Sequence, residues 1–367
     1  MGFRDFLGNE RIVSALQGAL RAGRVPHALL FTGPSGVGKY TLARMFAQAA
    51  TCERLTDDFC GECPTCQRVA LLADPALLVE QGLAERGESA DAAMVERMPL
   101  ILQTHPDVWA VVPDPVRLKT PVTRPVLRVG QIRAVQRAAY FQPMGRRRVF
   151  ILDGADTMRW DVANVFLKIL EEPPPSATLI LIARSPYSLL PTIVSRCMQF
   201  HFAPLPQADV ERILKEKTGR KGAEITLAAQ LAEGSPGLAM EMDVAASAQR
   251  RQDALRILSR AAQGQDFAQL FADTAALVKD RETTFERQLE IFYGLLTDLL
   301  ELTAKVKSPM LRNQPLAKEL QALSTIVDVA WVMKAIGGFD QLHAGARRNL
   351  NKQLGLDALA ASLAPGA

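Results

Sequence analysis

The stretch LLFTGPSGVGKYTLARMF, Leu29 to Phe46, decides the fold. A short apolar block runs into a glycine-rich turn, and a helical pattern follows at once. In that setting Gly33, Pro34, Ser35, Gly36, Val37, Gly38 and Lys39 nearly match G-x-x-x-x-G-K-[ST]. In such a loop the glycines let successive backbone N–H groups turn inward onto a phosphate, and the following helix N-terminus adds a favourable dipole. Lys39 stands where it would reach the β- and γ-phosphates, and the next residue normally places a short hydroxyl on Mg2+. Here that residue is Tyr40, whose phenol lies too far from the backbone to take that role. Thr41 comes one position late and points about 100° away around the helix. ATP or ADP is therefore expected to bind weakly, with Mg2+ deprived of its usual ligand.

Working outward, HALLFTG (27–33), RVFILDG (148–154) and ATLILIA (177–183) are brief apolar blocks, the first two followed by helix-like segments. Strands alternating with helices predict an α/β P-loop domain, a parallel sheet covered by helices on both faces. The interval 67–125 is rich in Pro and Asp and less regular, an insertion with a strand around DVWAVVP. After FHFAPLP (200–206) the strand signals stop. Short helices are expected to about 245, and helices alone beyond. Phe285, Leu289, Phe292, Leu296 and Leu299 recur at spacings of four and three, one apolar helix stripe suited to a bundle core. Three domains follow: 1–204, a small helical lid at 205–246, and an all-α domain at 247–367.

The second half of a nucleotide site is also incomplete. Asp153 ends its strand where an acid would meet magnesium, or else it caps a turn. The next residue, a water-orienting Glu in an active enzyme of this type, is Gly154. Cys52, Cys60, Cys63 and Cys66 form a C-x7-C-x2-C-x2-C cluster. Four thiolates with no open position favour structural zinc, although iron–sulfur centres use similar spacings and four unrelated buried cysteines are the bland alternative. Cys197 reads as a small buried hydrophobe. Between residues 117 and 148 there are nine Lys or Arg and no Asp or Glu. Arg133 and Arg137, four apart on one helix face, suit phosphates of DNA, or equally a solvated face or salt bridges. In TIVSRCMQF, Arg196 sits at a helix end before a strand, either an ordinary surface arginine or one able to reach a neighbour's γ-phosphate.

The balance of the chain excludes some classes. With 367 residues it exceeds one compact core, and its net charge of +4 is too small to name a partner. No run approaches the roughly 20 apolar residues of a membrane span, the N-terminus has no signal-like apolar stretch, and clustered cysteines point to a reducing cytoplasm.

HALLFTGPSGVGK, the four cysteines, HPD (105–107), VGQIR, ANVFLKILEEPP (163–174) and VSRC occur in this order. Together they resemble the AAA+ clamp-loader family of bacterial DNA polymerase III, over most of 1–245. The tail 347–360 is similar to the end of that family's helical collar. The resemblance implies a subunit of a hetero-oligomeric ring, part of a DNA-directed DNA polymerase holoenzyme, with motor (gamma/tau) and delta subunits as partners. Through that ring it would meet the sliding clamp and primer-template DNA. It also implies that Tyr40, Gly154, Ala183 and Gly237 stand where a motor subunit keeps its hydroxyl, acid, sensor residue and lid arginine. Four such losses, and the absence of the motor's long C-terminal extension, fit the non-hydrolysing delta-prime type. Arg196 then acts in trans on the adjacent motor. The alternatives are a motor subunit with a tolerant site of its own, or a single-stranded-DNA-binding protein. Gly130 departs from the family, which usually has an acid there.

Overall fold

The computed structural model describes residues 2–87, 92–115, 125–280, 283–309, 311–346 and 351–365. The first part of the basic segment (117–124), four residues of the insertion (88–91) and 347–350 of the tail lie outside them. The described residues divide into two compact units, one of 1–209 with 235–237, the other of 210–234 with 238–367.

In the first unit, β1 (Ala28–Thr32), β3 (Val108–Val111), β4 (Arg148–Leu152), β5 (Ala177–Ile182) and β6 (Met198–His201) run parallel, and β2 (Leu102–His105) is antiparallel to β3. The strand order is β2-β3-β4-β5-β1-β6. Successive strand residues serve opposite faces. Leu29, Phe31, Val149 and Ile151 pack with α1 (Glu10–Arg21) and α2 (Lys39–Thr51), whereas Leu30, Phe150 and Leu152 pack with α6 (Val129–Ala139) and α7 (Trp160–Glu171). Both faces being covered is why β1, β4 and β5 read as unbroken apolar runs rather than alternating ones. This is an α/β domain, a mostly parallel sheet covered by helices on both faces.

The insertion is more regular than its composition suggested. It contributes α3 (Pro64–Ala70), α4 (Pro75–Arg86), α5 (Ala92–Arg97) and β2. Asp74 caps α4 through Leu77 N–H, with Pro75 at the first helical position. Arg86 and Asp114, both buried, form an ion pair at 2.9 Å that fastens α4 to the strand side. Gln131 donates to the carbonyls of Leu100 and Val112, fixing the insertion's exit. The unusual Gly130 has a steric cause. A Cβ there would lie 2.7 Å from both the Glu96 carbonyl oxygen and its carboxylate, so the close approach of α5 requires a glycine.

HPD (105–107) works as a clasp. Asp107, fully buried, accepts from the backbone N–H of Met144 (3.1 Å) and Gly145 (2.8 Å) and from the Arg148 guanidinium (3.0 Å). Arg146 donates to the carbonyls of Cys52 and Leu55 just past the end of α2, and Arg147 donates to Ala177. Three members of the basic segment, Arg146, Arg147 and Arg148, are thus engaged inside the fold. Breaking a buried pair leaves an uncompensated charge, so Arg148→Ala should cost about 3–5 kcal/mol, checked by urea unfolding of the purified chain.

In the second unit, α12 (Val244–Gln263), α13 (Phe267–Lys279), α14 (Phe285–Thr303), α16 (Val329–Ala346) and α17 (Lys352–Ser362) share one apolar core. The stripe Phe285, Leu289, Phe292, Leu296 and Leu299 is buried there, with Phe292 stacked on Phe339 at 4.6 Å between centroids. Among the described residues no helix is long and apolar enough to cross a membrane.

Candidate functional site

The glycine loop leaves β1 and enters α2 through Gly38, whose φ of +96° favours a residue without a Cβ. Gly33 approaches so closely that an added Cβ would lie 2.4 Å from the Phe202 carbonyl oxygen. Lys39 opens α2 and is buried. Its ammonium donates to the carbonyls of Gly33 (2.7 Å) and Pro34 (2.5 Å). Burial pulls its pKa down to about 8, Arg184 nearby pushes the same way, and Asp153 and Asp156 oppose them. Ser35, Gly36 and Val37 complete the turn, with Val37 buried, and Thr41 lies half-buried in the first turn of α2.

Tyr40 is turned to another purpose. Its hydroxyl donates to the Leu72 carbonyl at 2.9 Å, tying α2 to the segment after α3, and burial raises its pKa. Asp153 ends β4, accepts from Gly154 N–H at 2.9 Å, and has its pKa raised by burial against the pull of Lys39. Gly154 has φ +66°, and a Cβ there would sit 2.7 Å from Pro113 Cγ. Ala183 is buried beside β1, donating its N–H to Phe31. Gly237 donates its N–H to the Gly36 carbonyl at 2.9 Å, and a Cβ on it would fall 2.9 Å from Gly36 Cα. The structure therefore brings Lys39, Asp153, Gly154, Gly36 and Gly237 into one neighbourhood, with no side-chain hydroxyl or second acid at the positions that would need them. Gly154→Glu should cost about 2–4 kcal/mol through left-handed backbone strain and overpacking against Pro113. It should restore no ATPase, as thermal melting and a phosphate-release assay would show.

The four cysteine sulfurs of Cys52, Cys60, Cys63 and Cys66 lie within 4.8 Å of one another. The Cys52–Cys60 and Cys60–Cys66 separations are 3.8 and 4.0 Å. A tetrahedron of metal–sulfur bonds near 2.3 Å has edges of about 3.8 Å, so the set fits one ion such as zinc; multi-iron clusters hold their thiolates farther apart. The local fold prepares the thiolates. Glu62 and Cys63 N–H point at Cys60 Sγ, and Cys66 N–H at Cys63 Sγ. Those N–H donors pull the Cys60 thiol down to about 6, whereas burial pushes Cys66 up. Around the cluster, Asp107 N–H donates to His105 Nδ1, His105 Nε2 lies 3.4 Å from Thr65 Oγ1, and Thr65 donates to Glu53 at 2.6 Å. This chain links the cluster to β2. His105, Thr65 and Glu53 were invisible as a set in the sequence, because 40 residues separate the first two.

Arg196 follows α8 (Pro191–Val194) and is partly exposed. It donates to the Thr192 carbonyl at 3.0 Å and pairs with Glu171 at 3.0 Å. Cys197 packs against the core and burial raises its thiol to about 12. Arg133 and Arg137 are both exposed on α6, separate from the glycine loop's residues in the sequence and from Arg196's partners.

A family model described as DNA polymerase III, delta subunit, matches residues 8–206, more than half of the chain. The tau subunit of DNA polymerase III from Escherichia coli (strain K12) is 30% identical over 239 residues, which is 64% of this chain and 31% of that protein. The tau subunit of Bacillus subtilis (strain 168) is 28% identical over 262 residues, 71% of this chain and 37% of that one. The match thus spans about a third of the length of these curated relatives. The crystal structure of a DNA polymerase III gamma-subunit-related protein from Thermotoga maritima is similar with a TM-score of 0.36 and 15% identity, covering 96% of this chain and 97% of that chain.

Proposed function

Because the chain belongs to the DNA polymerase III delta-subunit family, in its delta-prime branch, and so among the clamp-loader subunits, we propose that it is the loader's non-hydrolysing stator. Residues 1–204 act as the nucleotide-binding-like domain, 205–246 as the lid and 247–367 as the collar that joins the ring. The chain holds its place between motor and delta subunits while the ring opens the sliding clamp and closes it on primed DNA. The observation that carries this reading is Gly154, where left-handed backbone and Pro113 leave no room for a water-orienting acid. The glycine loop persists as a scaffold whose lysine is held by its own carbonyls.

Two features support a contribution to chemistry elsewhere. Arg196 presents an exposed guanidinium beside a helix end, suited to stabilise γ-phosphate charge on an adjacent motor subunit. The four-cysteine centre binds zinc and holds α2, β2 and the 142–147 turn in register. If Arg133 and Arg137 meet the duplex, they do so as phosphate contacts without base readout.

The isolated chain should show no magnesium-dependent ATP turnover, and Lys39→Ala should change nothing measurable in that assay. Turnover by the purified chain that disappears in Lys39→Ala would overturn the stator reading in favour of a gamma/tau-type motor.

A further inference from the structure

We propose that Glu171, in the LEEPP sequence at the end of α7, is a positioning residue for Arg196; this rests on the arginine-finger reading above. An exposed arginine has many rotamers of similar energy, and a group that must meet a phosphate in one geometry gains rate by being held there beforehand. Two rigid points hold this guanidinium. Nη2 donates to Glu171 Oε1 and Nη1 to the Thr192 carbonyl, each at 3.0 Å.

Both anchors are themselves fixed. Glu171 closes α7, three prolines follow Glu172, and the Tyr140 hydroxyl donates to the Glu172 carbonyl at 3.0 Å. Proline forbids the helix from continuing, so the Glu171 backbone is held at that turn. Thr192 lies in α8, which starts on Pro191 and closes with Ser195 N–H on the Pro191 carbonyl at 2.9 Å. A guanidinium has five N–H donors, and these contacts use two. The Nε–H and one N–H on each terminal nitrogen are left for phosphate oxygens. The pair is half-exposed, and such pairs contribute little to stability, so its value has to be sought in orientation.

The test is a double-mutant cycle in the reconstituted clamp loader, reading steady-state ATP turnover against ATP concentration. Arg196→Ala defines the share of turnover that depends on this chain. Within that share, Glu171→Ala should lower kcat by about 10- to 100-fold with KM for ATP nearly unchanged, as expected for a misplaced catalytic group. Glu171→Gln, which keeps an acceptor oxygen, should recover most of the loss. Glu171→Ala added to Arg196→Ala should have no further effect, and gel filtration should show intact assembly throughout. If Arg196→Ala leaves turnover unchanged, the finger reading itself fails. If Arg196→Ala lowers turnover but Glu171→Ala leaves it unchanged, or raises it, the finger stands and the positioning role is refuted.

Discussion

Arg196→Ala is expected to lower ATP turnover at the adjacent motor site of the assembled loader by about 10³-fold or more, while the variant still assembles. The magnitude follows from what an arginine supplied in trans does for phosphoryl transfer, where it meets charge that develops on the transferred group, an effect of about 10³–10⁵ in kcat. The structure gives reasons for the fold to tolerate the change. The Arg196 side chain is over a third exposed, its ion pair with Glu171 is half-exposed, and Ile193 beside it, not Arg196, supplies the buried anchor of α8. Arg196→Lys should recover little, because a compact ammonium cannot bridge two phosphate oxygens as the planar fork can. The measurement is single-turnover hydrolysis by the complex, alongside sedimentation or gel filtration to confirm composition. Turnover equal to wild type in an intact complex would remove the finger from the account.

Stripping the metal from the purified chain should unfold the segment 52–73 and lower the melting temperature by well over 10 °C. Structural zinc in small modules supplies roughly 10–16 kcal/mol of folding free energy at neutral pH, and only part of that must be lost to exceed the marginal stability of a domain. Three of the four ligands are buried, and the cluster carries neighbours with it. Arg146 reaches the Cys52 carbonyl, Gln48 the Cys66 carbonyl, and Tyr40 the Leu72 carbonyl. Cys66→Ser should reproduce the effect. Elemental analysis should return one zinc per chain and no iron; iron with acid-labile sulfide would show the centre to be a cluster instead. Proton release accompanies metal binding, since burial raises the Cys66 thiol and it must ionise to ligate.

The central strands β1, β4 and β5 were legible in the sequence because strands buried on both faces are apolar throughout, and the glycine loop marks where the first of them ends. The cysteine centre was legible because its ligands are close in sequence. The insertion was not. Its helices are held by Arg86 on Asp114 and by Gln131 on two distant carbonyls, contacts that span 28, 31 and 19 residues. The roles of Arg146, Arg147 and Arg148 were not legible either, since nothing in a run of basic residues announces that a buried Asp107 or a helix end awaits them. The need for glycine at 130 was equally hidden, because the Glu96 that packs against it lies 34 residues away.

Gly154 and Gly237 share a consequence for how this subunit can change over time. At each, a neighbour occupies the space that a side chain would fill, Pro113 in one case and the Gly36 backbone in the other. A side chain added at either position alone would strain the fold before it could supply any activity. Recovery would demand several simultaneous changes, each harmful by itself. The packing thus acts as a one-way ratchet, and under the proposed stator role the division of labour between a subunit that burns ATP and one that braces its neighbour would be held in place by van der Waals contact.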